Sequence, residues 1–156
     1  MKQYNITKIQ KKLRKELDDD RYRHTLGVMY TSAALAMRYG ADLMKAQIAG
    51  LLHDCAKCIP NDKKLKLCDK YGIPVTKVEN DAPFLLHSKL GAYLAKTKYG
   101  VEDEEILEAI VWHTTGKPAM TRLFFWRITL SPCAGRRKIW RRSGKPPLWI
   151  STGRFI

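Results

Sequence analysis

The sequence predicts an all-α fold. Apolar residues recur at three- and four-residue spacing in successive segments, and aspartates and glycines stand where helices would start and stop. No strand-period segment of any length appears before residue 122. At 156 residues the chain suits one domain with a sizeable core.

Residues 5–18 place Ile6, Ile9 and Leu13 on one face of a short amphipathic helix with a basic outer side, interrupted by Asp18-Asp19-Asp20. A helix over 21–39 carries Tyr22, Leu26, Met29, Ala33 and Ala36 as a stripe, holds His24 in its first turn beside Arg21 and Arg23, and stops at Gly40. Asp42 is placed to cap a third helix over 43–57, whose inner side is Ile48, Leu51, Leu52 and Cys55 and which delivers His53 and Asp54. A shorter helix over 61–71 ends at Tyr71-Gly72, and Pro74 opens a loop that runs to Pro83. Phe84-Leu85-Leu86-His87 leads into a helix to Tyr99, closed by Gly100. Asp103 caps a helix over 104–113 in which Ile106, Ala109, Ile110 and His113 share the buried stripe, and Gly116 with Pro118 ends it.

The formal charge is +14, but it is unevenly placed. Residues 1–121 carry twenty Lys/Arg and all fifteen acids, whereas 122–156 carry nine Lys/Arg and no acid. The basicity therefore belongs mostly to the last 35 residues and is weak support for a nucleic-acid partner. No apolar run of about 18 residues is present, and Met1-Lys2-Gln3-Tyr4 leads into a charged segment, so a cytoplasmic protein with no membrane partner is expected. Cys55, Cys58, Cys68 and Cys133 lack a disulfide-framework spacing and read as free thiols; Cys55 and Cys58 form a CxxC without the second pair a zinc ribbon needs.

The chemistry lies in Ala49-Gly50-Leu51-Leu52-His53-Asp54-Cys55-Ala56-Lys57, an apolar run ending in an adjacent imidazole and carboxylate. Burying such a pair is costly without partners, and a divalent metal is a natural one. A single buried histidine is most simply a core or capping group. The four of this chain, His24, His53, His87 and His113, each lie near a helix end, and with Asp54 they favour metal binding. His24, His53 and Asp54 can hold one metal, and His87 with His113 a second if Asp54 bridges.

These segments, with His24-Thr25-Leu26-Gly27-Val28, Leu85-Leu86-His87, Gly91-Ala92-Tyr93 and Ala109-Ile110-Val111-Trp112-His113-Thr114-Thr115-Gly116, resemble the HD-domain phosphohydrolases, specifically the bacterial symmetrical bis(5′-nucleosyl)-tetraphosphatase branch. The resemblance covers about residues 4–121 and implies an HD-domain helical bundle that splits diadenosine tetraphosphate into two ADP at a di-iron centre, with manganese as the alternative to iron. It implies metal-ligand roles for His24, His53 and Asp54, completion of the second metal site or phosphate contact for His87 and His113, and phosphate contact for Arg21 and Lys57. His53, Asp54 and Lys57 are the expected catalytic group. The implied partners are a dinucleoside polyphosphate or ADP and a second copy of the chain in a homodimer. Competing expectations are another HD phosphohydrolase acting on a nucleoside monophosphate or a guanosine alarmone, a non-catalytic ADP-binding remnant, and single-strand nucleic-acid binding through Arg136-Arg137-Lys138 and Trp140-Arg141-Arg142.

The resemblance stops near residue 121, which sets the expected domain at 1–121 and a basic Arg/Trp/Pro-rich tail at 122–156. The family continues into an Ala-Asp-Tyr-Ile-Glu-Pro run whose aspartate is a further ligand, where this chain reads Trp126-Arg127-Ile128-Thr129-Leu130-Ser131-Pro132. Those residues can be encoded TGG CGG ATT ACA TTG AGC CCC, and the frame starting at the third base reads Ala-Asp-Tyr-Ile-Glu-Pro. Phe124-Phe125 as TTT TTT supplies a slippage-prone run. The expectation is a frameshifted C-terminus, with the family's C-terminal helices missing or replaced, the tail disordered and activity impaired.

Overall fold

The computed structural model describes residues 4–114, and they are helical, with no strand among them. The helices are α1 (Ile6–Leu13), α2 (Asp19–Tyr39), α3 (Leu43–Leu52), α4 (Asn61–Lys70), α5 (Lys77–Asp81), α6 (His87–Thr97) and α7 (Glu104–Trp112); a 3₁₀ turn, Pro83–Leu86, precedes α6. The expected segment 122–156, Cys133, Gly116 and Pro118 lie outside the described residues. No helix of the described residues is long and apolar enough to cross a membrane.

Start and stop signals act where the side chains predict. Asp18, Asp42 and Asp103 accept the amides of Arg21, Lys45 and both Glu105 and Ile106, closing the first turns of α2, α3 and α7. Gly40 ends α2 in the left-handed region at φ 67°, a conformation that costs a residue with a Cβ. Because Asp18 is the cap, α2 begins at Asp19 and His24 lies in its second turn, not its first.

α2 lies along α3, α3 also meets α7, and α7 packs on α6. Their shared core holds Met29, Ile48, Leu51, Leu52, Ile106 and Ile110, and α1 covers it with Ile9 and Leu13. A smaller cluster of Ala56, Cys68, Leu86 and Leu90 seats α4 beside the 3₁₀ turn and α6. The buried face of α2 is turned from the expected stripe. Thr25, Val28 and Ser32 are buried with Met29, Ala33 and Ala36, while Tyr22 and Leu26 only flank the core. Gly50 explains this: a Cβ there would stand 3.0 Å from Met29 Cα and 2.9 Å from Ser32 Oγ, so the two backbones meet at that point.

Three expected elements change, the first being α1, which ends at Leu13 instead of running to residue 18. α3 stops at Leu52, short of residue 57, because the His53 ring takes the Gly50 carbonyl that a continuing helix would offer to the Asp54 amide. The stretch after Pro74 is not all loop: Thr76 and Glu79 exchange side-chain and backbone hydrogen bonds as a capping box and start α5. Lys89 on α6 holds that helix down, pairing with Glu79 at 2.8 Å and donating to the Pro74 carbonyl at 2.9 Å.

Candidate metal centre

Asp54 stands among four imidazoles supplied by four different parts of the chain. His24 comes from α2, His53 from the end of α3, His87 from the first residue of α6, and His113 from the end of α7. Three of the four are built alike. The Nδ1 atoms of His53, His87 and His113 lie 2.8, 2.5 and 2.6 Å from the carbonyls of Gly50, Phe84 and Ile110, each three residues back. A carbonyl oxygen only accepts, so each ring carries its proton on Nδ1 and, when neutral, turns the Nε2 lone pair inward. The local reason is a helix boundary: a residue whose own side chain takes a terminal carbonyl both ends or starts a helix and fixes the ring.

The inward nitrogens surround the carboxylate on two sides. Asp54 Oδ1 is 3.3 Å from His87 Nε2 and 3.5 Å from His113 Nε2, and Oδ2 is 3.6 Å from His53 Nε2 and 3.9 Å from His24 Nε2. His87 and His113 meet Nε2 to Nε2 at 3.0 Å, as do His24 and His53 at 3.3 Å. The ligand atoms of His24, His53 and Asp54 lie within 4.8 Å of one another, and so do those of Asp54, His87 and His113. Each oxygen of Asp54 thus faces one histidine pair, the arrangement of a carboxylate shared between two cation positions.

The donor chemistry fits divalent metals. Burial pushes His53 down to about 3, outweighing the attraction of Asp54, and burial also lowers His87, so these rings are neutral near pH 7 and offer lone pairs. Burial works against charge on Asp54, yet its carboxyl is held well below the usual carboxylate range, with the ammonium of Lys57 among the groups that lower it and the Arg21 guanidinium donating to Oδ2. Neutral nitrogens facing one another around an ionised carboxylate that is 4% exposed form a cation site by electrostatics.

Both cations expected near phosphate sit beside this centre. Arg21 Nη1 donates to Asp54 Oδ2 at 3.0 Å with a side chain 31% exposed, and Lys57 Nζ lies 3.2 Å from His87 Nε2. The two cysteines of the CxxC have other partners. Cys55 Sγ reaches the Gly91 carbonyl at 3.5 Å, and Cys58 Sγ reaches Asp18 Oδ2 at 3.4 Å. One buried cation went unflagged by the sequence: Lys64 on α4 is 3% exposed. A lysine between Lys63 and Leu65 in a charged helix carries no pattern that sets it apart from its solvated neighbours.

A family model described as the HD domain matches residues 21–147. A symmetrical bis(5′-nucleosyl)-tetraphosphatase of Bacillus subtilis (strain 168) is 42% identical over 111 residues, 71% of this chain and 59% of that protein. A protein of the same description from Staphylococcus aureus (strain NCTC 8325 / PS 47) is 34% identical over 118 residues, 76% of this chain and 60% of the other. The chain spans about three fifths of the length of these curated relatives. Among solved structures, a predicted HD superfamily hydrolase involved in NAD metabolism from Clostridium acetobutylicum superposes with a TM-score of 0.78 at 39% identity, covering 87% of this chain and 72% of that one.

Proposed function

The chain belongs to the HD domain family, and on that premise we propose that it is a metal-dependent phosphoric anhydride hydrolase that cleaves diadenosine tetraphosphate symmetrically into two ADP. The observation that carries this reading is the shared carboxylate: Asp54 faces His24 and His53 with one oxygen and His87 and His113 with the other. The names of the relatives supply the substrate class.

In this reading His24, His53, Asp54, His87 and His113 hold two divalent ions as a di-iron centre, with manganese as the alternative metal. Divalent metals supply a nucleophilic water at neutral pH and neutralise charge on the phosphorus under attack. The chain's own work is positioning. Hydrogen bonds to Gly50, Phe84 and Ile110 lock three rings in the donor tautomer. The Asp54 carboxylate, ionised and buried, sets the spacing of the two halves. Arg21 and Lys57 neutralise charge on the polyphosphate chain, and His87 and His113 line its path. Phosphoryl transfer asks mainly for such positioning and charge stabilisation. Attack next to the middle of the tetraphosphate leaves two identical halves. A homodimer and a cytoplasmic location complete the proposal.

The substitution of an acid-free run for Ala-Asp-Tyr-Ile-Glu-Pro belongs to the same proposal. Residues from about 122 onward are read as an out-of-frame translation, which deprives the first metal position of its last carboxylate. The test is incubation of this chain, and of a version with the frame restored, with diadenosine tetraphosphate and Fe(II) or Mn(II). ADP as sole product supports the reading. AMP with ATP rules out symmetrical cleavage, and an intact substrate with both chains rules out the substrate.

A further inference from the structure

Lys57 and Arg21 meet the centre in chemically different ways. Lys57 stands on the turn after Asp54, where its amide donates to the Asp54 carbonyl at 2.9 Å, and its Nζ lies 3.2 Å from His87 Nε2. The other nitrogen of that ring faces the Phe84 carbonyl at 2.5 Å, so the ring proton is on Nδ1 and the ammonium donates into the Nε2 lone pair. A neutral imidazole has one such lone pair. The cation position formed by Asp54, His87 and His113 draws on the same pair, because Nε2 is the nitrogen that faces Asp54 Oδ1 at 3.3 Å and His113 Nε2 at 3.0 Å. A hydrogen bond from Lys57 and a bond to metal are therefore mutually exclusive at His87. Arg21 repels a cation by charge but leaves it a lone pair: the guanidinium donates to Asp54 Oδ2 at 3.0 Å, and each carboxylate oxygen carries two.

We propose that Lys57 competes with the divalent ion for His87 Nε2, so that loading the position of Asp54, His87 and His113 releases the ammonium to a phosphate oxygen. This rests on the metal-dependent hydrolase reading above. Metal and phosphate are then coupled through one side chain. The metal takes His87 and frees Lys57, phosphate takes Lys57 and frees His87, and each tightens the binding of the other by the same factor.

The test titrates Mn(II) calorimetrically into the full chain as wild type, Lys57→Met, Arg21→Gln, His87→Ala and the Lys57→Met, His87→Ala double variant. Inorganic phosphate is then titrated into Mn(II)-loaded wild type and Lys57→Met. Lys57→Met is expected to bind Mn(II) about 10- to 100-fold more tightly, the worth of one charge-assisted hydrogen bond, and to bind phosphate more weakly by a similar factor. The gain in Mn(II) affinity is expected to vanish in the His87→Ala background, and Arg21→Gln is expected to gain markedly less. Mn(II) affinity that is unchanged or lower in Lys57→Met overturns the competition, and so does an equal gain in Arg21→Gln or in the His87→Ala background, the mark of charge repulsion alone. Phosphate affinity retained in Lys57→Met overturns the release. Should His87→Ala fail to fold by circular dichroism, the comparison of Lys57→Met with Arg21→Gln decides. Each of these outcomes leaves metal uptake by the wild type intact, whereas wild type that takes up neither Mn(II) nor Fe(II) removes the hydrolase reading and the competition with it.

Discussion

His87 and His113 face each other Nε2 to Nε2 at 3.0 Å while both commit their Nδ1 protons to backbone carbonyls. Two neutral rings so arranged oppose lone pairs, and a cation between them removes the conflict. Metal is therefore expected to stabilise the native chain by mass action, about 2.7 kcal/mol at a hundredfold excess over Kd. Thermal unfolding with Mn(II) and with chelator measures this. His113→Ala is expected to lower the metal bound per chain by elemental analysis, because it removes one of the three ligands of the position formed by Asp54, His87 and His113. A Tm that ignores saturating Mn(II) and Fe(II) would remove the metal centre from the account.

Gly50 and Gly91 are both helical glycines next to the core, but only one is sterically required. A Cβ at Gly50 would come within 3.0 Å of Met29 Cα and 3.1 Å of the Val28 carbonyl, both backbone atoms. Gly50→Ala is expected to cost about 1–3 kcal/mol, the usual range for overpacking. At Gly91 the nearest atom is Ile110 Cγ2 at 3.5 Å, ordinary contact. Gly91→Ala is expected to be neutral or to gain up to about 1 kcal/mol from helix propensity. Urea unfolding of the two variants decides it, and equal stabilities would contradict the close approach of α2 to α3.

Helix boundaries at Gly40, Asp42 and Asp103 were legible in the sequence because each cap acts over three or four residues, whereas Asp18 read as a break after the first helix and is the cap of the second. The gathering of His24, His53, Asp54, His87 and His113 was legible only as a set of residue types. Spacing along a chain cannot say which carboxylate oxygen faces which ring. The end of α3 at Leu52 escaped because apolar periodicity runs on through Cys55, while the competing hydrogen bond comes from the His53 side chain. α5 escaped although its Thr76-x-x-Glu79 signature was present, hidden by Pro74 and Pro83 on either side. Lys64 had no sequence signal, since its burial depends on how α4 docks.

The capping box of α5 makes a pH prediction. Burial would raise Glu79, but hydrogen bonds from Lys89 and Thr76 outweigh it and hold its pKa below the ordinary 4.5. A carboxylate depressed on folding adds stability that is present above its unfolded pKa and lost as pH falls through the folded value. Stability is thus expected to decline below pH 4.5 in the wild type, with Glu79→Gln removing about 1 kcal/mol at pH 7 and flattening part of that decline. Identical acid limbs for the two proteins would remove Glu79 as the source.

Thiol chemistry separates the two cysteines of the CxxC. Cys55 is buried, and burial, with Glu16 and Asp54 nearby, pushes its thiol up to about 12. Cys58 is exposed beside Asp18, and burial raises it too, but without closing it to reagent. Alkylation at neutral pH followed by peptide mass spectrometry is expected to modify Cys58 well before Cys55 or the buried Cys68. Equal labelling of Cys55 and Cys58 in native protein would mean that the turn after α3 opens readily, which a rigid Asp54 would not survive.

Residues 126–132 contain no acid. His24 and His53 share Oδ2 of Asp54 with Arg21, whose guanidinium sits 3.0 Å from that oxygen, so the first cation position has two imidazoles and one contested carboxylate oxygen. An aspartate added on that side would restore the negative charge that holds a second divalent ion against Arg21. Shifting the reading frame near Phe124 to produce Ala-Asp-Tyr-Ile-Glu-Pro is expected to raise metal content and turnover of diadenosine tetraphosphate together. Replacing only the restored aspartate by asparagine should return both to the level of the present chain. If the restored chain gains turnover while the asparagine version keeps it, the carboxylate is not what limits the present chain. If codons of the gene cannot yield that run in another frame, the frameshift itself is excluded.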